Sequence, residues 1–255
     1  MSTDSDVHVK KDKMFDPTFG LNSHMLGVIV AVIAVIITII LFVLWQRRQN
    51  ARRGVLIMGL CDAGKTLVFS RLLYSRYVNS HTSIKENAGD FIVNNGFLRV
   101  VDIPGHERVR GKFFDLYKGI ARGIIFVMDA TTVQKEIRDV AELLYTVLTD
   151  PVILAAAPKL LLLCNKQDQT LAKGSQPIKA MLEKELNVVR RTKSSQLTGT
   201  DGSTTQATLG IPGKDFEFHH LAPITVEFAE GCAFNTTPET TADLKAVHKW
   251  IASIA

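Results

Sequence analysis

The chain has 255 residues, a hydrophobic share of 46% and a formal charge of +5, enough apolar material for one ordinary core with additional segments. Arg47, Arg48, Arg52 and Arg53 supply most of that charge within one short stretch, so a basic surface for nucleic acid is not indicated and direct nucleic-acid binding is not expected. Cys61, Cys164 and Cys232 lie far apart without a CxxC pair; they signal neither a disulfide framework nor a zinc site and fit a reducing compartment.

Residues 25–45 carry no charge and one hydroxyl, Thr38; as a helix they extend about 31 Å, the thickness of a bilayer core. Fifteen of them are Leu, Ile, Val or Phe, and insertion gains roughly 5 to 9 kcal/mol on that count. The run is too long for a signal peptide, and it ends in Trp45-Gln46-Arg47 instead of a small-residue cleavage site. One transmembrane helix is therefore predicted, and without an ionisable residue it reads as an anchor, not a transport path. The arginines that follow it, against mixed lysines and aspartates before it, place the C-terminal side in the cytosol and residues 1–24 on the opposite, lumenal side. Residues 46–53 form a basic linker reaching at most about 27 Å, which keeps the following domain, residues 54–255, near the membrane.

From residue 54 onward, short β-rich runs alternate with helical periods, the pattern of an α/β fold. Strands are predicted at 55–59, 91–93, 97–102, 123–128, 159–165 and 224–228. Asn95-Gly96 between the second and third marks a hairpin, so one strand is antiparallel. The later runs are almost continuously apolar, as in a mostly parallel six-stranded sheet with both faces covered. Helices at 65–77, 107–120, 134–149, 177–188 and 238–254 would cover those faces. The polar stretch 190–214 has too few apolar residues to pack and reads as a mobile loop.

Three segments carry chemistry. Gly59-Leu60-Cys61-Asp62-Ala63-Gly64-Lys65-Thr66 matches G-x-x-x-x-G-K-[ST], follows a strand and opens a helix, the setting of a phosphate-binding loop. Its N–H groups can curl round phosphates, Lys65 can reach the β and γ phosphates, and the Thr66 hydroxyl can ligate Mg2+. Asp102-Ile103-Pro104-Gly105 closes the strand after the hairpin, where Asp102 can serve the metal, through a water, and the Gly105 N–H can sense a γ phosphate. His106 follows, either orienting an attacking water or simply starting a helix at the surface. Asn165-Lys166-Gln167-Asp168 closes a buried strand. Asp168 can accept from the N1 and N2 protons of guanine, Lys166 can lie along the base, and Asn165 can tie this loop to the phosphate loop. A carboxylate orphaned by adenine would cost roughly 1 to 3 kcal/mol. Thr82 is a candidate second metal hydroxyl, with Ser83 the alternative. Gly231-Cys232-Ala233 can offer a backbone N–H to guanine O6.

In this order and spacing, residues 54–255 resemble the Ras-like GTPase superfamily of P-loop NTPases. Within it, GLCDAGKT, the His of DIPGHE, NKQD, and VEFAEGCA followed by a helix closing in LKAVHKWIASIA resemble the signal recognition particle receptor β-subunit family, a relative of the Arf and Sar group. The last guanine motif departs from the usual S-A-K, reading Cys232-Ala233-Phe234. The resemblance implies GTP/GDP and Mg2+ as cofactors and a single-pass location in the endoplasmic reticulum membrane. It also implies a heterodimer with the receptor α subunit, which docks on the GTP-bound form and brings ribosomes to the translocon for co-translational targeting. Two modes stay open: a GTPase cycling through Lys65, Gly105 and His106, or a module that holds GTP to order a docking surface. Cys61 and Asp62 add bulk where an arginine finger would enter, which leans to slow or partner-dependent hydrolysis. An Arf- or Sar-like trafficking GTPase with an unusual anchor is the alternative, although such proteins leave membranes and a 21-residue span does not. The sequon Asn235-Thr236-Thr237 should stay unglycosylated on a cytosolic domain.

Overall fold

The computed structural model describes residues 23–79, 83–93, 96–198, 209–234 and 242–255. Thr82, the Asn95 half of the hairpin signal, the sequon, residues 199–208 and most of the N-terminal segment lie outside these. The chain divides into two compact units, Met1–Arg48 and Gln49–Ala255. The first contains most of helix α1 (Ser23–Ala51), whose described side chains, 28–42, are all exposed within the unit. The single hydroxyl, Thr38, bonds back to the Ala34 carbonyl at 2.6 Å, satisfying its donor within the helix. Among the described residues no helix is long and apolar enough to cross a membrane; positions 28–42 fall short of the roughly 20 that a span needs.

The second unit is built on β1 (Gly54–Met58), β2 (Asn87–Val93), β3 (Gly96–Asp102), β4 (Ala121–Asp129), β5 (Lys159–Asn165) and β6 (Val226–Glu230), in the order β2-β3-β1-β4-β5-β6. Every pair is parallel except β2 with β3, so the expected mostly parallel sheet with one antiparallel strand is found. Helices α2 (Lys65–Tyr74), α3 (Glu107–Tyr117), α4 (Val133–Leu148), α5 (Pro151–Ala156), α6 (Ser175–Thr198) and α7 (Lys245–Ile254) follow in turn.

Strand alternation sorts the core into two layers. Leu56, Met58, Ile124, Phe126, Leu160 and Leu162 join buried residues of α3 to α6, whereas Val55, Ile57, Ile125, Val127, Leu161 and Leu163 join those of α2 and α7. Each middle strand is thus apolar on both faces, which is why it reads as a continuous run. The order reverses at β1, and the crevice beyond the carboxyl end of such a strand is where open α/β sheets take ligands.

Several boundaries differ from expectation. Val93 pairs with Gly96, so the glycine of the Asn-Gly pair belongs to β3 and not to the turn. β2 is seven residues long, because Asn87 to Asp90, without an apolar run of their own, still pair with β3. α2 stops at Tyr74, where Ser75 takes a left-handed conformation (φ 52) and its N–H caps the Arg71 carbonyl. The largest difference is at 190–198, which is the last part of α6 and not loop. Val189 and Arg190 are buried there, and Thr192 and Ser194 return hydroxyl bonds to the Val188 and Arg191 carbonyls, so polar side chains do not break the helix. Arg190 donates to the carbonyls of Leu209, Ile211 and Lys214 and to Asn187 Oδ1, fastening residues 209–214 to α6.

Candidate functional site

The loop 59–64 leaves β1 at the sheet's reversal point. Gly59 has φ 144 and a Cβ there would run into the Val127 carbonyl of β4; Gly64 has φ 88 and a Cβ would strike the Asn165 amide. Asp62 is also left-handed, at φ 57. Alternating hand turns successive N–H groups inward, the geometry of an anion nest, and α2 begins at Lys65 with its positive end facing the same loop.

Around this loop the ionisable groups are buried and close. Lys65 is buried and donates to the Leu60 carbonyl at 2.5 Å. Thr66 Oγ1 donates to Asp102 Oδ2 at 2.7 Å, and Asn87 Nδ2 donates to the same oxygen at 3.1 Å. Asp102 is 1% exposed, and its Oδ1 is buried without a hydrogen-bond partner. Burial pushes the Asp102 carboxyl above its ordinary range against its bonds to Thr66 and Asn87, and burial likewise pushes Lys65 down against the pull of Asp102. An orphaned carboxylate oxygen beside a threonine hydroxyl is a donor set suited to a hard cation such as Mg2+. Ser83 Oγ lies 3.2 Å from Thr66 Oγ1, which places the alternative hydroxyl beside this set, whereas Thr82 lies outside the described residues.

Gly105 is packed against the loop: a Cβ would sit 2.6 Å from Lys65 Nζ and 2.9 Å from the Cys61 nitrogen. Its carbonyl accepts from Arg110 Nη1 at 3.1 Å. His106 caps α3, its Nδ1 accepting the Arg108 N–H at 3.3 Å, and is itself exposed.

The third segment meets the first through Asn165, which is 2% exposed. Its Nδ2 donates to the Ala63 carbonyl at 2.9 Å and its Oδ1 accepts the Ala233 N–H at 3.2 Å. All three N–H groups of Gly231-Cys232-Ala233, the segment expected to reach guanine O6, are bonded within the protein, to the Cys164 and Asp243 carbonyls and to Asn165 Oδ1. Lys166, at φ 66, pairs with Asp129 Oδ2 at 2.6 Å. Burial raises the Asp129 carboxyl, but its bonds to Lys166 and Thr131 outweigh that and hold it below its usual value. Asp168 is exposed and accepts the Cys232 thiol at 3.0 Å; burial and that carboxylate push the thiol up to about 11. Arg71 of α2 holds the Ala233 carbonyl at 3.3 Å. The phosphate-loop, D-x-x-G, N-K-x-D and Gly231-Cys232-Ala233 residues therefore converge on one crevice.

Sequence reasoning passed over Asn87, Arg110 and Asp129. Asn87 is signalled by the hairpin register, which sets it opposite Asp102. Asp129 is signalled only by the pairing of β4 with β5, where it faces Asn165.

A family model described as the signal recognition particle receptor beta subunit matches residues 50–224. The human signal recognition particle receptor subunit beta is 43% identical over 245 residues, covering 94% of this chain and 88% of that protein. The solved mammalian SRP receptor superposes with a TM-score of 0.70 at 43% identity, over 80% of this chain and 100% of that one. The SRb-GTP/SRX complex from Chaetomium thermophilum gives a TM-score of 0.61 at 19% identity over 78% of this chain and 99% of that one, a likeness of fold alone. The chain belongs to the signal recognition particle receptor β-subunit family.

Proposed function

We propose that this chain binds GTP and GDP with Mg2+ as the membrane-anchored β subunit of a signal recognition particle receptor. In its GTP form it docks the receptor α subunit at the endoplasmic reticulum for co-translational targeting, and so acts indirectly with ribosome and translocon. The observation that carries this reading is the single hub at Asn165, which joins the phosphate loop at Ala63 to the guanine-side loop at Ala233.

In this reading Lys65 exchanges the Leu60 carbonyl for phosphate oxygens, and the turned N–H groups of residues 60–64 cradle the chain of phosphates. Thr66 and Asp102 would hold Mg2+, with Thr82 or Ser83 completing the set. When bound, that ion would supply positive charge against the phosphates. Gly105 offers its N–H toward the γ phosphate, steadied by Arg110 through its carbonyl. Asp168 selects guanine, and its thiol partner Cys232 yields as the base arrives. Exposure of His106 and the bulk of Cys61 and Asp62 support slow or partner-dependent hydrolysis, with GTP serving chiefly to order the docking surface.

Residues 25–45 form the anchor, with the nucleotide domain cytosolic, on the strength of their hydropathy and the arginines after them. Ile84 and Leu116, 75% and 64% exposed, lie on the segments that follow the metal-side residues and support a protein-docking role there. Calorimetry tests the nucleotide reading: GTP binds well above ATP, and Asp168→Asn moves the preference toward xanthine nucleotide. Equal uptake of ATP and GTP by the native chain overturns it. Single-turnover hydrolysis, slow alone and faster with the α subunit, tests the catalytic part.

A further inference from the structure

The pole of the sheet opposite the nucleotide crevice carries a different chemistry. β1, β4 and β5 all begin there, at Gly54, Ala121 and Lys159, and so does the chain's entry into the domain. A cavity of about 270 Å³ opens at this pole, and its charged lining residues are Arg52, Arg122 and Lys159, with no carboxylate side chain among them. Arg52 donates to the Ala156 carbonyl at 3.0 Å and Arg122 to a main-chain oxygen of the last residue, Ala255, at 3.3 Å. Neither guanidinium uses all five of its donors in that one bond.

The hairpin extends the same pole. Arg99 faces Gly54 across the β1–β3 pairing, so β3 starts about 10 Å farther out. There Ile92 and Phe97 oppose each other directly, on one face. They are 81% and 49% exposed, and the Arg53 guanidinium stacks 5.1 Å from the Phe97 ring centre. Cations around an aromatic and an aliphatic side chain make a composition suited to the water–bilayer boundary and not to open solvent.

We infer that this pole is a membrane-contact surface in which Arg52, Arg122 and Lys159 receive the phosphate-bearing headgroup of an anionic phospholipid while Phe97 and Ile92 rest on the interface. The inference rests on the anchored reading: residues 46–51, expected as linker, are the last turns of α1, and together with Arg52 and Arg53 they keep this entry pole well within about 27 Å of the bilayer surface. Contact at the opposite pole leaves the nucleotide crevice and its flanking segments directed away from the lipid.

Amine footprinting of the full chain in lipid nanodiscs tests it. Acylation of Lys159 is expected to slow severalfold when phosphatidylserine is added to phosphatidylcholine discs, while the exposed Lys184 of α6 is unaffected. The protection disappears at about 1 M salt, where the screening length falls to about 3 Å. Arg122→Gln reduces it by about fivefold, the effect of one cation beside an anionic surface. Arg53→Gln gives a second variant should Arg122→Gln fail to fold. Equal acylation in both kinds of disc overturns the inference and leaves the anchor intact. Protection by inorganic phosphate in phosphatidylcholine discs at matched ionic strength assigns the cavity to a soluble anion and also overturns it. A chain that does not enter discs at all overturns the anchored reading and the inference together.

Discussion

Asn165 and Ala63, 102 positions apart in the chain, are joined by a 2.9 Å bond from the buried amide to the loop carbonyl. The other end of the same amide accepts the Ala233 N–H, so one side chain sets the separation of the phosphate and base loops. Asn165→Ala leaves a buried carbonyl and a buried N–H unpaired, and is expected to cost about 1–3 kcal/mol. Urea unfolding of the nucleotide-free chain measures that loss. A fluorescent GTP titration should show affinity falling as well, because the two loops no longer share a brace.

Asp129 links stability to acid. Its carboxyl is held below the ordinary 3.8 by Lys166 and Thr131, so its contribution is complete above that unfolded value and is lost as pH falls through the lower folded value. Asp129→Asn is expected to cost about 1–3 kcal/mol at neutral pH, with the difference from the native chain closing below about pH 4. Chemical unfolding of both proteins across pH 2 to 7 reads this directly, and a constant difference down to the lowest pH would refute the linkage.

The thiols separate by environment. Cys61 is exposed, Cys164 is buried and pushed up to about 12, and Cys232 is pushed up to about 11. At pH 8 about one Cys232 in a thousand is thiolate, so a disulfide reagent should modify Cys61 first and Cys232 slowly, at a rate rising about tenfold per pH unit up to about pH 11. Asp168→Asn removes the carboxylate that bonds the thiol and should speed Cys232 modification. Unchanged kinetics in that variant would place the cause in burial alone.

Arg190 supports a tertiary clamp. Arg190→Ala is expected to destabilise the domain by about 2–4 kcal/mol, since it orphans carbonyls that a charged donor satisfied. Arg190→Lys recovers little, because one ammonium does not span the acceptors that a planar guanidinium reaches. Hydrogen exchange should rise first at residues 209–214 in both variants.

Much of this was readable from residue order. Continuous apolar runs such as Leu160 to Cys164 announced strands covered on both faces, and the placement of Gly59, Lys65 and Asp102 at strand ends announced the crevice. What stayed hidden depends on register and packing. The polar end of α6 looked like a loop because its hydroxyls satisfy themselves within the helix and its buried cation is matched by main chain more than ten residues away. Asp129 looked like an ordinary strand terminus until the β4–β5 pairing set it across from Asn165. The turn signal at Asn95-Gly96 misled because Gly96 pairs in the ladder.

The grip of Arg190 falls almost wholly on peptide oxygens, which every amino acid supplies alike. The side chains of the exposed Ile211 and Lys214 are therefore immaterial to the clasp, whereas the guanidinium has no substitute. Relatives of this chain should diverge at the exposed Ile211 and Lys214 while keeping the arginine, a buried apolar residue at Leu209 and the left-handed glycine at Gly210.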